Sequence, residues 1–159
     1  MPSKAVYVVN LDYLLYILLR RAPQEFERAA EEGMNKSVID MSSSAKLNAP
    51  VDRDRLRSNI GHEVKTTFGE ITGIVGTNVE YAPHMEYGTT HTKMPPPGAL
   101  DVWARRHGIP SGFLVARAIL RRGGLRARRF MQKAFDQHKR EVKPNLETAF
   151  ARALKRLGF

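Results

Sequence analysis

The chain has no cysteine, so disulfide bonds and thiolate metal sites are excluded. It also has no long apolar run. The stretch from Leu11 to Leu19 covers nine residues and includes Asp12, whereas a membrane-spanning helix needs about twenty apolar residues. Only Lys4 supplies positive charge before this stretch, and no small-residue cleavage site follows it. We therefore expect neither a membrane partner nor a signal peptide.

The signatures of common enzyme classes are also missing. The 159 residues contain no nucleophile elbow, no Walker loop and no dinucleotide-binding glycine fingerprint. The motif search therefore gives an enzyme hypothesis no positive support, and we expect no catalytic residues and no cofactor.

Acidic residues are absent between Val102 and Ala134, although nine basic residues lie there. The whole chain has 26 basic and 16 acidic residues and a formal charge of +10, so this segment carries much of the excess. Such a basic patch attracts anionic partners, and composition leaves nucleic acid, anionic lipid and acidic protein surfaces open. The arginines of the patch are Arg105, Arg106, Arg117, Arg121, Arg122, Arg126, Arg128 and Arg129.

The hydrophobic residues, 42% of the chain, follow clear periodicities. From Pro23 to Asn48 they recur every three or four positions, which predicts a long helix. The stretches NIGHEVKTT and EITGIVGT are rich in β-branched residues and predict a β-hairpin that turns near Gly69, and KAVYVV predicts an N-terminal strand. The apolar face of the helix comprises Phe26, Ala30, Met34, Val38, Met41 and Ala45.

A second helical face runs through the C-terminal part of the chain. It continues in register across Pro144, so we predict one long helix that is kinked there. Two shorter, basic helices are predicted at Ala99–His107 and Phe113–Arg122. The C-terminal face comprises Met131, Ala134, His138, Val142, Leu146, Ala149, Ala153 and Leu157.

Together these elements predict an α+β fold. A small antiparallel sheet, made by the hairpin and the N-terminal strand, is packed by the long N-terminal helix and the kinked C-terminal helix. Residues 1–159 are expected to form a single domain, with residues 95–128 as a basic helical insertion.

The stretch VEYAPHMEYGTTH raises the question of a metal site. His84, Glu86 and His91 could supply three ligands, but their spacing matches no established zinc signature. Polar loop residues explain them more simply. Asp52 and Asp54 could likewise form the paired carboxylates of a metal-dependent nuclease, yet arginines alternate with them, which favours local ion pairs at a turn.

The two basic helices resemble a helix-turn-helix only superficially. Their connection, Gly108 to Gly112, is longer than usual for that motif. The second helix also lacks the amide side chains that commonly read base edges. Non-specific phosphate contact by arginine stays open, as does contact with an acidic protein. Trp103, at helical spacing from Leu100, is expected to be an apolar anchor.

Three motifs in order carry a family resemblance. The segment AKLNAPVDRDRLRSNI precedes the hairpin, YAPHMEYGT follows it, and RRFMQKAF opens the last helix. This order resembles the siphophage neck and minor-tail family, the tail-completion and head–tail joining proteins of the lambda gene-Z kind. Where that family has glycine, this chain has Asp54, which tolerates left-handed backbone better than most residues. The turn motif consists of Pro50, Asp52, Asp54, Leu56 and Arg57.

The resemblance implies a structural virion protein at the head–tail junction, assembled in the host cytoplasm. It implies a ring of six or twelve copies that joins the head connector to the tail tube, with DNA passing through the lumen. Expected partners are further copies of the chain, a head-completion or adaptor protein, and a tail tube or tail terminator protein. The predicted subunit contacts are Tyr81, Met85, Glu86, Tyr87, Gly88, Thr89 and Trp103.

The basic patch is expected to meet an acidic neighbour or the genome, by non-specific contact with its DNA. The alternative is a stand-alone nucleic-acid-binding protein that uses the arginine-rich helices at residues 99–129. A metal-dependent hydrolase at His84, Glu86 and His91 is the third hypothesis.

Overall fold

A computed structural model describes residues 6–10, 24–52, 54–67, 70–90, 94–96 and 98–156, with residues 6–10 described by their backbone. The apolar stretch Leu11–Arg20, whose composition predicts a short, mostly buried helix, lies outside the described residues. The predicted turn at Gly69 and the ligand candidate His91 also lie outside them. The described part of the chain is α+β, as predicted. Its elements are β1 (Val6–Asn10), α1 (Gln24–Asn48), α2 (Arg55–Ser58), β2 (Ile60–Thr67), β3 (Glu70–Thr77), α3 (Ala82–Tyr87), β4 (Thr89–Thr90), α4 (Asp101–Arg106), α5 (Gly112–Arg121), β5 (Gly124–Leu125), α6 (Phe130–His138) and α7 (Val142–Arg156).

The main sheet has three antiparallel strands in the order β1-β3-β2. Alternate residues of the central strand β3 are buried, because they face α1. Gly73 allows the helix to approach closely: a Cβ atom there would lie 2.5 Å from Cγ1 of Val38. The predicted hairpin and N-terminal strand are confirmed. The buried β3 positions are Ile71, Gly73, Val75 and Thr77.

The long helix α1 supplies the core, as its periodicity predicted. Its buried face includes Met34, Val38 and Met41, and it ends at Asn48, just before Pro50. Gly33 lies where α7 crosses α1, and a Cβ atom there would sit 2.8 Å from the Cα of Leu146. A glycine inside the helix is therefore required by close backbone packing rather than by helix propensity.

The C-terminal helix differs from the prediction. It consists of α6 and α7, separated at residues 139–141, and Pro144 lies in the first turn of α7 rather than at a kink. A proline ring clashes with the carbonyl group four residues earlier, here that of Arg140, and has no N–H to donate. The disruption therefore falls three to four residues before the proline. The predicted face still holds, because Met131, Val142 and Leu146 are all buried.

The chain divides into two compact units: residues 1–82 with 130–159, and residues 83–129. The second unit encloses the predicted insertion 95–128 and contains α4 and α5. The helix α4 is three residues shorter than predicted, and α5 has the predicted length but begins and ends one residue earlier. The second unit also contains the two-stranded pair β4–β5, which pairs Thr89 with Leu125 and was not predicted.

Candidate functional site

The turn motif joins α1 to the hairpin through the short helix α2. Asp54 precedes that helix with φ 59°, so the predicted left-handed backbone at this position is confirmed. Arg57 Nε donates a 3.0 Å hydrogen bond to the carbonyl oxygen of Lys46 in the last turn of α1, which satisfies a carbonyl group that the helix itself leaves open. Leu56 is 3% exposed and anchors the motif in the core.

The other two residues of the turn motif lie between α1 and α2. Pro50 is half-buried directly after α1, and Asp52 is exposed. Asp52 does not occupy the N-cap of α2; that position belongs to Asp54, which forms no side-chain cap hydrogen bond. The turn motif therefore connects α1 to the hairpin through the left-handed backbone of Asp54, the buried side chain of Leu56 and the hydrogen bond from Arg57 to α1.

The segment from Tyr81 to Thr89, here called the tyrosine segment, has an exposed and a buried side. Tyr87 is 62% exposed and Tyr81 is 37% exposed. Met85, Gly88 and Thr89 are half-buried. Glu86, also predicted as a subunit contact, is 0% exposed and is held by contacts within its own chain. The tyrosines can meet a neighbouring protein, whereas the Glu86 side chain cannot do so in this conformation.

The tyrosine segment is braced by the residues that end the second unit. The backbone N–H of Arg128 donates to the Met85 carbonyl oxygen at 2.8 Å, and that of Arg129 donates to the Glu86 carbonyl oxygen at 3.1 Å. Gly88 has φ +75°, and a Cβ atom there would lie 2.6 Å from the Leu125 carbonyl oxygen. Glycine therefore suits this tight turn, whereas the strand β5 that packs on it was not predicted from the sequence.

The second unit places Trp103 against its own chain. The Trp103 ring stacks on the ring of His107 with centroids 4.0 Å apart, and Trp103 is half-buried. Asp101 fixes the start of α5, since its Oδ1 accepts a 2.8 Å hydrogen bond from the Gly112 N–H. Part of the Trp103 surface thus serves the internal packing of α4 and the following turn.

The apolar side chains of α5 are poorly covered. Phe113 is 60% exposed and Leu114 is 47% exposed, and only Gly112 and Ala116 are buried in this helix. Exposed apolar side chains grouped on one helix commonly mark a surface that contacts another protein.

His84 and Glu86, the two ligand candidates among the described residues, are not placed as metal ligands. His84 is exposed while Glu86 is buried, so the two side chains do not share an environment. Across the described ranges, no group of three histidine, cysteine or carboxylate side chains could hold a metal ion. The paired carboxylates Asp52 and Asp54 are both exposed at the α2 turn, where Asp54 lies 3.8 Å from Arg57 Nε.

A hydrogen-bonded chain that the sequence did not predict joins α1 to the end of α6. Ser44 Oγ lies 2.6 Å from His138 Nε2, and His138 Nδ1 lies 2.7 Å from Glu141 Oε2. A carboxylate only accepts, so Nδ1 carries the hydrogen; in the neutral ring Nε2 then accepts from the serine hydroxyl. The order serine, histidine, carboxylate matches that of a hydrolase triad. Its only sequence signal was His138 on the core face of the helix.

Comparison with known proteins gives a family match over part of the chain. Residues 18–88 match the family described as "Bacteriophage HK97-gp10, putative tail-component". The match covers somewhat less than half of the chain and includes α1, the turn motif, the β2–β3 hairpin and most of the tyrosine segment. No curated protein and no solved structure gives a match.

The match supports the siphophage neck and tail-completion family that the three motifs indicated. It indicates a structural phage tail protein, located in the virion and in contact with other virion proteins. Within the described residues, the helices are all too short or too polar to cross a membrane.

Proposed function

We propose that this chain is a subunit of a neck or tail-completion ring that joins the head connector of a phage to its tail tube. The supporting observation is the tyrosine segment: Tyr87 projects into solvent from a backbone that is fixed on both sides by hydrogen bonds. A rigid, exposed aromatic side chain loses little conformational entropy on docking and commonly anchors protein interfaces.

A ring follows from the symmetry of such a contact. If the tyrosine segment of one copy packs on a different surface of the next, the interface is head-to-tail, and it closes when the rotation divides a full turn evenly. The exposed Phe113 and Leu114 of α5 would then face either the next copy or a head or tail protein. Genome DNA would pass through the lumen.

We propose further that the chain is not an enzyme, despite its triad-like hydrogen bonds. Ser44 lies inside α1, so its backbone N–H belongs to the helix and supplies no oxyanion hole. A cavity beside neighbouring residues of α1, lined by Met41, Ala45 and Phe135, has a volume of about 10 Å³, room for at most about one water molecule. The Ser44–His138–Glu141 chain is better explained as a structural link.

Assembly with partner proteins tests the proposal. The full chain is co-expressed with the connector and tail tube proteins encoded beside it, and the products are measured by sedimentation and electron microscopy. We expect a discrete ring that Tyr87→Ser weakens at least about tenfold, the loss typical of a moderate hot spot. Leu47→Ser is the control, because Leu47 is 76% exposed but lies on α1.

Two outcomes would count against the ring. One is a chain that stays monomeric with its head and tail partners present. The other is a ring that forms equally well with Ser at position 87.

A further inference from the structure

The positive charge of residues 83–129 is not balanced within the chain. This unit has nine basic and two acidic residues, whereas the rest of the chain has seventeen and fourteen. Both acidic residues are already engaged: Asp101 accepts the Gly112 N–H at 2.8 Å, and Glu86 is fully buried. With two carboxylates for nine basic residues, this unit has too few acidic side chains to neutralise most of its arginines.

The two units also differ in how many of their basic side chains form ion pairs. In the first unit, eight lysines and arginines of the described residues form ion pairs. For example, Arg152 and Arg156 reach Glu32 at 3.4 and 3.9 Å. In the second unit, seven exposed arginines have no ion-pair partner in the described part of the chain. These unpaired arginines are Arg105, Arg117, Arg121, Arg122, Arg126, Arg128 and Arg129.

The unpaired arginines are distributed over the unit rather than gathered at one point. Arg117 and Arg121 are one helical turn apart on α5, Arg105 lies on α4, and the others follow α5. Like charges four residues apart destabilise a helix by about 0.2–0.5 kcal/mol. An external anion removes that repulsion, and an extended polyanion reaches several such positions at once, which a single carboxylate pocket does not.

We propose that the unpaired arginines bind the phosphate backbone of double-stranded DNA without sequence preference. Duplex DNA presents about one charge per 1.7 Å of its axis, and the guanidinium fork suits phosphate oxygens. The exposed face of α5 offers arginine, phenylalanine and leucine but no asparagine or glutamine, so base edges are not read. DNA binding by these arginines does not depend on ring formation. Only its biological setting, contact with genome DNA in transit, rests on the proposed function.

The test is a titration of the purified full chain, without partner proteins, against a fluorescent random duplex of about 30 base pairs in roughly 50–200 mM salt. We expect affinity to fall about tenfold or more over this range. The variant Arg117→Glu with Arg121→Glu should lower affinity at least about tenfold and reduce the salt slope by about two. Thermal melting confirms that each variant is folded.

A matched control separates this site from general charge. Lys143→Glu with Lys155→Glu makes the same change in net charge on α7, where both side chains are exposed. We expect this variant to keep the DNA affinity of the unchanged protein within about twofold, because neither lysine belongs to the proposed phosphate-binding arginines. Equal loss in both double variants would overturn the assignment to the second unit.

A second control distinguishes DNA from an acidic protein as the partner. Phe113→Gln with Leu114→Gln should leave DNA affinity unchanged, since phosphate contact does not need these side chains. No binding to duplex even at the lowest salt, together with binding to a polyglutamate peptide, would overturn the proposal and indicate an acidic protein surface. Ring assembly is measured in a separate experiment. If no ring forms but the protein binds DNA, the result contradicts the proposed function and leaves the DNA-binding proposal intact.

Discussion

At the scale of single residues, Asp54 and Arg129 adopt the left-handed backbone conformation that is usual for glycine. Asp54 has φ 59° and Arg129 has φ 52°. Each precedes a helix, α2 and α6 respectively, and each redirects the chain into it. Left-handed backbone is unfavourable for residues with a Cβ atom, although aspartate bears it better than arginine does. Both positions therefore carry local strain that the surrounding structure maintains.

Replacing Asp54 by glycine should stabilise the protein. Relief of the left-handed strain is worth about 0.5–1 kcal/mol after the extra flexibility of the unfolded chain is subtracted. The lost contact with Arg57 is long, at 3.8 Å, and exposed, so it contributes little. Denaturant unfolding measures the change. Arg55→Gly is the control: it lies within α2 and should lower stability by up to about 1 kcal/mol. Equal effects of the two variants would contradict this explanation.

At the scale of elements, the crossing of α1 and α7 depends on a missing side chain. Gly33→Ala should destabilise the protein by about 1–3 kcal/mol, even though alanine favours helices, because the new methyl group would meet the backbone of Leu146. Thermal unfolding measures this. Gly61→Ala is the matched control, since nothing lies within 4 Å of a Cβ atom there. A neutral Gly33 variant would show that the helices can separate freely.

The break between α6 and α7 is secured by the Ser44–His138–Glu141 link. His138 is half-buried and contacts both other side chains. We expect His138→Ala to cost about 1–2 kcal/mol through its two lost hydrogen bonds. A double-mutant cycle with Ser44→Ala should show a coupling of about 0.5–1.5 kcal/mol. Additive effects of the two substitutions would mean that the 2.6 Å contact contributes nothing to stability.

At the scale of the whole molecule, charge is balanced in one unit and unbalanced in the other. Charge reversal should therefore act differently in each. Arg117→Glu with Arg121→Glu should change the free energy of unfolding by less than about 0.5 kcal/mol, because these exposed side chains have no ion pair to lose. Arg152→Glu with Arg156→Glu should lower it by about 1–2 kcal/mol, since it sets like charges against Glu25 and Glu32.

Circular dichroism during urea unfolding checks both variants under the same conditions. A large loss of stability in the Arg117 and Arg121 variant would mean that these arginines support the fold. In that case a loss of DNA binding would no longer indicate a phosphate contact.

Local patterns allowed much of the fold to be predicted. The spacing of Met34, Val38 and Met41 gave the buried face of α1, and β-branched alternation gave the hairpin, because both periodicities arise within a few residues. The break before Pro144 was misjudged as a kink. Apolar register shows which face is buried, but it does not show whether the backbone hydrogen bonds continue through a proline.

The candidate sites were less predictable. Tyr87 was predicted to be a subunit contact and is exposed, yet the burial of Glu86, one position earlier, has no counterpart in the local sequence. The Ser44–His138 contact joins residues 94 positions apart, and no periodic pattern encodes such a pair. The absence of partners for Arg117 and Arg121 likewise depends on where the carboxylates lie in space.

The sequence by itself determined the long helix α1, the β2–β3 hairpin and the uneven distribution of charge, because these follow from neighbouring residues and from composition. The family match over residues 18–88 covers the turn motif and most of the tyrosine segment, and the third motif, RRFMQKAF, lies outside it. Only the tertiary structure decided that Gly33 is needed for a helix crossing, that Glu86 is buried, and that the arginines of the second unit lack ion pairs. Each of these depends on contacts between distant parts of the chain, which form only when the core assembles.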